Sequence, residues 1–234
     1  MNRTVVLACK VFSNELDALQ KRGILNEHWS VRFLEMGLHN HPPLLKSTLQ
    51  EEIDRLEETE SPERIILAYG HCGGGLVGLK AKKAVLIIPL AHDCISILLG
   101  SAKRHQNLLK THPRTYFSSG GWLASGKLPG GEREISLREQ YSDMDEDVLE
   151  DLLEADAETF QNYNRLTHVS TEATSQNEIN EAKECASSQE WELKVEKGGL
   201  NWLSDLISEN WDSDRILVTE PEQDLKFPTT FFQS

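Results

Sequence analysis

The chain has no long hydrophobic run and is short of positive charge. No apolar segment approaches the roughly 20 residues that a bilayer crossing needs. The first residues show no apolar stretch followed by a cleavage site, so we expect a cytoplasmic protein with no membrane partner. Only 24 lysines and arginines stand against 38 acidic residues, a formal charge of −14. Because nucleic-acid binders usually present a basic surface, we expect no nucleic-acid partner.

Cysteine is scarce, and the short motifs that usually reveal a cofactor are missing. The four cysteines form no CxxC pair, and in the absence of an export signal we expect them to be reduced thiols. The stretch GHCGGGLVG at residues 70–78 is neither a G-x-G-x-x-G fingerprint nor a P-loop. A nucleotide site therefore has little support, and any cofactor must be inferred from where individual side chains fall in the fold.

Hydrophobic patterning predicts an α/β fold with an open, mostly parallel sheet flanked by helices. Uninterrupted apolar runs are typical of parallel strands that helices cover on both faces. The strands are expected at residues 4–12, 29–39, 64–70, 84–91, 114–123 and 215–219. After two prolines, Leu45, Leu49, Ile53 and Leu56 fall on one face of a helix. Alternating strands and helices indicate a doubly wound α/β layer.

We predict a single domain, residues 1–234, that carries an acidic helical insertion at residues 131–190. This block holds 17 aspartates and glutamates against 4 lysines and arginines, which is typical of a solvated face. The helical spacing of Val148, Leu149 and Leu152 predicts one helix inside it. If the chain is a non-catalytic accessory protein, this block would be the docking surface for its methyl-transfer partner.

Three cysteines occupy equivalent places in the predicted sheet. Cys9 ends the first strand, Cys72 follows the run IILAYG, and Cys94 follows LIIPLA. Ligands of open parallel sheets bind outside the carboxyl ends of the strands, so we expect these three thiols to meet there. Thiolates suit zinc, which we favour, or an iron–sulfur cluster. The alternative is that each cysteine packs as a small buried hydrophobe.

The stretch HDC adds two candidate catalytic residues, His92 and Asp93. Asp93 would orient a metal-bound histidine or act as a general base. Its alternative role is the N-cap of the helix that follows. His39, His41 and His71 are either further ligands or ordinary polar residues of turns.

Small residues at two strand exits indicate candidate cofactor contacts. Gly73 and Gly74 would let the backbone approach a bulky ligand or metal closely, or would form a simple tight turn. Trp122 follows a second pair of glycines and would either form one wall of a pocket or pack in the interior. We assign Gly73, Gly74 and Trp122 as candidate cofactor-binding residues.

Five stretches, in order, resemble a family of uncharacterised bacterial and archaeal proteins known only as a domain of unknown function. They are ACKVFSNEL, LEMGLHNHPPLL, ILAYGHCGGGLVGL, IIPLAHDCISILLGS and TYFSSGGWL. The resemblance covers residues 4–220 and implies motif positions at Cys9, His39, Tyr69, Cys72, Asp93, Cys94, Gly100, Ser101 and Trp122. Similar genes lie near corrinoid methyl-transfer systems, which implies one-carbon chemistry. The chain lacks a D-x-H-x-x-G corrinoid-binding stretch.

These observations predict a metal-binding protein whose thiolate site is formed by Cys9, Cys72 and Cys94. We expect an enzyme, a zinc- or iron–sulfur-dependent transferase, that activates a small one-carbon or sulfur-containing substrate for methyl transfer. Two alternatives stay open. The chain would be a non-catalytic accessory protein that supplies a metal or cofactor to a methyl-transfer partner, or a small-molecule binding module without metal.

Overall fold

The computed structural model describes residues 3–209, 211, 214–229 and 231, and it confirms the α/β class. The strands are β1 Thr4–Cys9, β2 Ser30–Leu34, β3 Arg64–Ala68, β4 Val85–Pro89, β5 Thr115–Ser118, β6 Arg165–Ser170, β7 Glu192–Lys197 and β8 Ile216–Thr219. The α-helices are α1 Ser13–Lys21, α2 Pro42–Thr59, α3 Cys94–Leu98, α4 Ala102–Thr111, α5 Gly120–Leu123, α6 Gly131–Gln140, α7 Glu146–Glu158, α8 Gln176–Ser188 and α9 Asn201–Ile207.

The chain divides into two compact units. The first consists of Met1–His105 with Gly198–Ser234, and the second of Gln106–Lys197. A single domain over residues 1–234 therefore stays a prediction. In the described part of the chain, every helix is too short or too polar to cross a membrane.

The first unit contains a five-stranded sheet in the order β2-β1-β3-β4-β8. The first four strands run parallel to their neighbours, whereas β8 pairs antiparallel to β4. Residues of β1, β3 and β4 are almost all buried. Helices cover both faces of these strands, which is why their sequences are uninterrupted apolar runs. The mostly parallel sheet that the sequence predicts is thus confirmed.

Helix α2 supplies one wall of the core. Its predicted apolar face, Leu45, Leu49, Ile53 and Leu56, is fully buried and packs with side chains of β1, β3 and β4. Helix α9 contacts β3 and β4 and buries Trp202, Leu203, Leu206 and Ile207. These hydrophobic contacts keep the carboxyl ends of β1, β3 and β4 in fixed register.

A buried carboxylate joins α2 to the loop that enters β4. Glu57 accepts hydrogen bonds from the backbone N–H groups of Lys82, Lys83 and Ala84, at 2.9, 2.6 and 2.8 Å. Burial alone would raise the pKa of Glu57, but the three N–H donors outweigh it and hold the pKa below its usual value. Glu57 is therefore ionised at neutral pH and anchors this loop.

The second unit contains a parallel three-stranded sheet in the order β5-β6-β7. The strand predicted at residues 114–123 belongs to this second sheet. A small core of Leu166, Ala182 and Ala186 lies between β6 and α8. Helix α8 begins with a capping box, in which Ser175 and Glu178 each accept a hydrogen bond from the other's backbone N–H.

The acidic block at residues 131–190 is not wholly helical. It contains α6, α7 and α8 but also strand β6, which the sequence analysis missed. This strand carries Thr167 and His168, polar residues that are nevertheless buried, so its pattern does not resemble an apolar strand. Some of the exposed charged side chains on the helices form ion pairs, as Arg138 does with Glu134 and Glu150.

Candidate functional site

A small pocket opens at the carboxyl ends of the parallel strands in the first unit. It is lined by the cysteines Cys9, Cys72 and Cys94 together with His39 and Tyr69. We call it the thiol pocket. Strand β1 lies between β2 and β3, so the chain changes direction across the sheet here, and ligands of doubly wound sheets bind at such a switch point. The space inside holds about one water-sized sphere.

Two backbone hydrogen bonds bring the cysteine loops together. His71 N–H donates to the carbonyl of Ala91 at 2.7 Å, and Cys72 N–H donates to the carbonyl of His92 at 2.9 Å. The loop after β3 is thereby paired with the loop after β4, although the strands themselves have already ended. Cys72 and Cys94 are held at one edge of the sheet as a result.

Gly70 permits this close approach because it has no side chain. A Cβ atom at position 70 would lie 2.5 Å from the Cα of Asp93 and 2.6 Å from its backbone nitrogen. Real Cβ atoms do not approach backbone atoms so closely. The glycine before the histidine and cysteine is thus required for packing between the two loops.

All three thiols of the pocket are held in the neutral form. Burial raises the pKa of Cys9 to about 11 and that of Cys72 to about 12, and it raises the pKa of Cys94 well above the usual thiol value. Repulsion from Cys9 further raises the pKa of Cys72, and both of them raise that of Cys94.

The three thiols line one pocket, but they are not arranged as ligands of a metal ion. Within residues 3–209, 211, 214–229 and 231, no three His, Cys, Asp or Glu side chains are arranged to hold a metal ion. All three cysteines are half-buried and none forms a disulfide. Metal binding by Cys9, Cys72 and Cys94 stays a prediction. The fold does place all three in the lining of one pocket at the carboxyl ends of the strands.

Similarity to known proteins identifies a family. A family model described as a protein of unknown function (DUF1638) matches residues 33–207, about three quarters of the chain. The chain belongs to the DUF1638 family. No curated protein and no solved structure matches it. The expected resemblance to an uncharacterised family is therefore confirmed, and the matched residues include Cys72 and Cys94 while Cys9 precedes them.

In this DUF1638 chain, Asp93 caps helix α3. Its Oδ1 accepts the backbone N–H of Ser96 at 2.8 Å and the Ser96 hydroxyl at 2.9 Å. Its Oδ2 lies 3.3 Å from Nδ1 of His105. Burial opposes ionisation of Asp93, but these partners prevail and keep its pKa below the usual value. The carboxylate is a fixed negative charge beside the thiols, and a catalytic role for it stays a prediction.

His92 is held by an aromatic contact and lies outside the described lining of the thiol pocket. Its ring stacks on Phe231 with a centroid distance of 4.3 Å. His71 meets Phe227 edge to face at 4.8 Å. The Nε2 atom of His92 is buried and accepts or donates no hydrogen bond among the described residues. The catalytic role assigned to His92 stays a prediction.

Of the histidines considered as further ligands, His39 is the one that lines the thiol pocket. It follows β2 in a short 3-10 turn, Leu38–Asn40. Burial lowers the pKa of His39, and the nearby Asp93 charge only partly offsets this effect. The imidazole is thus neutral at physiological pH, the form that binds metals. His41 instead occupies the N-cap position of α2.

Gly73 and Gly74 form a tight turn. Both have left-handed backbone angles, φ 65° and 95°, within the 3-10 turn Cys72–Gly74. Cys72 itself has φ 47°, a conformation that few residues with a side chain adopt. The alternative of a simple turn accounts for the two glycines, and cofactor contact by them stays a prediction.

Trp122 belongs to α5 in the second unit, so it does not line the thiol pocket of the first unit. A cofactor contact by Trp122 stays a prediction.

The sequence analysis did not single out several buried polar residues that the fold brings together. Ser96 and His105 form a hydrogen-bonded cluster with the Asp93 carboxylate. The one sequence signal for it is the position of Ser96, three residues after Asp93, where a helix binds its N-cap side chain. In the second unit, Ser118 Oγ lies 3.1 Å from Nδ1 of His168, and both side chains are fully buried. No local motif marks this pair, because β5 and β6 bring together residues 50 positions apart.

Proposed function

We propose that this DUF1638 protein binds a soft metal ion, zinc in the first instance, through Cys9, Cys72 and Cys94. The metal would activate a small one-carbon or sulfur-containing substrate, and methyl transfer is the reaction we favour. One observation carries the proposal: thiols from the ends of three strands line a single pocket that is large enough for about one atom-sized ligand.

Burial is the main reason why the pKa values of the three thiols are raised, and the Asp93 carboxylate raises those of Cys72 and Cys94 further. A bound divalent cation would reverse this effect and release the thiol protons to solvent.

The neutral His39 imidazole is the side chain best suited to the fourth ligand position, because it shares the pocket with the thiols. If His39 does not bind, that position is open to substrate. A metal held by three thiolates is electron-rich and supplies a site at which an incoming thiol loses its proton. The resulting sulfur nucleophile can accept a methyl group, which agrees with the one-carbon chemistry that the sequence resemblance implies.

Metal analysis of protein purified without oxygen tests the proposal. We expect about one zinc per chain in the wild type and a loss of at least about tenfold in Cys9→Ala, Cys72→Ala and Cys94→Ala. Cys185→Ala is the matched control, because Cys185 is a half-buried thiol of the second unit whose sulfur faces the carbonyl of Pro129. Equal metal content in all five proteins would end the proposal.

The same samples separate the alternatives. A brown protein with iron in place of zinc would identify an iron–sulfur cluster at these cysteines. Turnover with methyl donors and small thiols distinguishes an enzyme from an accessory protein, which would bind metal without turnover. A chain that binds small molecules but no metal would be the binding module.

A further inference from the structure

Helices α6 and α7 leave large apolar side chains exposed. Ile135, Met144 and Val148 have exposed fractions of 58%, 42% and 52%. None of the ten residues of α6 is buried, and in α7 Leu149 is the one buried residue. A helix as short as α6 is marginal in water and depends on packing of its apolar face. Residues 131–158 are all described by the structure, and the described part of the chain leaves this apolar surface open.

Ion pairs hold α6 and α7 side by side. Arg133 of α6 contacts Asp156 of α7 at 2.6 Å, and Arg138 of α6 contacts Glu150 of α7 at 2.7 Å. The later arginine pairs with the earlier acid, so the two helices run antiparallel. The exposed apolar side chains therefore lie on one helical hairpin, residues 131–158, which we call the acidic hairpin. Apolar residues that are grouped in this way are typical of interaction surfaces.

The acidic hairpin carries most of the net charge of the chain. It contains 12 aspartates and glutamates and two basic residues, so its formal charge is −10, compared with −14 for the whole chain. Both basic residues, Arg133 and Arg138, are paired with acids of the hairpin itself. Every charge that remains for a partner is therefore negative. Exposed apolar groups set among such charges fit a surface that is both apolar and basic.

Charge complementarity selects the kind of partner. A second copy of the chain would bring the same negative charge to the same surface, and nucleic acids and anionic membranes are negative as well. A polypeptide with lysines and arginines beside an apolar stripe meets no such repulsion. Folded as an amphipathic helix, it packs its apolar face against exposed apolar side chains and places its cations at the rim.

We infer that the acidic hairpin is a docking surface for a basic amphipathic helix of a partner protein. The apolar face of that helix covers Ile135, Met144 and Val148, and its lysines and arginines contact carboxylates of α6 and α7. The inference goes beyond the proposed metal function and does not depend on it, because the hairpin belongs to the second unit and contributes no residue to the thiol pocket.

Fluorescence anisotropy with a labelled peptide of leucine and lysine tests the apolar contact. In one peptide the leucines follow helical spacing, and in the control peptide the same residues are arranged so that the leucines are spread around the helix. We expect the wild type to bind the amphipathic peptide at least about tenfold more tightly than the control peptide. The double variant Ile135→Ser, Val148→Ser should lose this preference, whereas Leu109→Ser, at an exposed leucine of α4, should keep it.

Charge removal tests the electrostatic contact. The double variant Asp151→Asn, Glu154→Gln changes two exposed residues of α7 and should weaken binding of the amphipathic peptide about threefold or more. The control Glu51→Gln, Glu58→Gln removes the same charge from exposed positions of α2 and should stay within about twofold of the wild type, because salt screens distant charges. Equal losses in both pairs would overturn the inference, since the charge would then act without a docking surface.

The comparison of the two peptides on the wild type does not depend on how any variant folds. Equal affinity for the two peptides would overturn the inference, and so would an unchanged preference in Ile135→Ser, Val148→Ser or a loss of preference in Leu109→Ser. Analytical ultracentrifugation of the protein alone tests the rival occupant. A dimer that Ile135→Ser, Val148→Ser abolishes would assign the surface to a second copy of the chain and overturn the inference.

Discussion

Replacing Gly70 with alanine should destabilise the first unit and disturb the thiol pocket together. The added Cβ would lie 2.5 Å from the Cα of Asp93, at least about 0.9 Å closer than an ordinary van der Waals contact. The obstructing atoms are backbone, so no side-chain rotation can relieve the clash. The loops after β3 and β4 must therefore move apart.

The cost follows from what holds these loops together. Separating them stretches the hydrogen bonds from His71 to Ala91 and from Cys72 to His92, at 2.7 and 2.9 Å. Each contributes about 0.5–1.5 kcal/mol, and inserting one carbon into a packed interior costs about 1–3 kcal/mol. We expect Gly70→Ala to lower the free energy of unfolding by about 2–6 kcal/mol.

Urea denaturation followed by circular dichroism measures this change. Gly131→Ala is the matched control, because a Cβ there meets no atom within 4 Å and the residue lies in the first turn of α6. It should leave stability unchanged or raise it by up to about 1 kcal/mol. Under the proposed function, Gly70→Ala should also bind less metal than the wild type, because Cys72 moves away from Cys94. A variant within about 0.5 kcal/mol of the wild type would refute the claimed loop contact.

Two further predictions concern the core of the first unit. Because the pKa of Glu57 is lowered in the folded state, its stabilisation is present above the usual carboxyl pKa and is lost as pH falls through the folded value. Glu57→Gln should therefore be less stable by about 1–3 kcal/mol at pH 7. Its difference from the wild type should shrink in urea titrations as pH falls below the usual carboxyl pKa, and a constant difference would contradict this account. Ile53→Ala should cost about 2–5 kcal/mol in the same assay, because the side chain is fully buried. The control Val148→Ala, at a residue 52% exposed, should stay within about 0.5 kcal/mol of the wild type, and equal effects would contradict the assigned core.

Much of the first unit could be predicted, because its buried segments stand out in the sequence as apolar residues. The strands β1, β3 and β4 are covered on both faces, so nearly every residue must be apolar, and the runs stand out against their surroundings. Helix α2 has one buried face, and its leucines repeat at helical spacing. These signals are local, so a single sequence carries them in full.

The second unit was harder to predict because its interior contains polar side chains. Strand β6 buries Thr167 and His168, and Ser118 of β5 pairs with that histidine. A polar group can be buried where a partner from a distant segment satisfies it, and that partner is known only once the fold is known. The same reasoning applies to Asp93, whose partner His105 lies on the next helix.

The thiol pocket lies between these two cases. The sequence alone predicts that the three cysteines meet, because parallel strands place all their carboxyl ends at one edge of the sheet. The residues that complete the pocket follow from side-chain packing: Tyr69 reaches it because core contacts fix its ring, and His39 because β2 lies next to β1. Topology determines which strand ends meet, whereas packing determines which polar atoms are left without partners inside. Within the described residues the Tyr69 hydroxyl is such an atom, and no local sequence pattern reveals it, because a buried polar group finds its partner only through the fold.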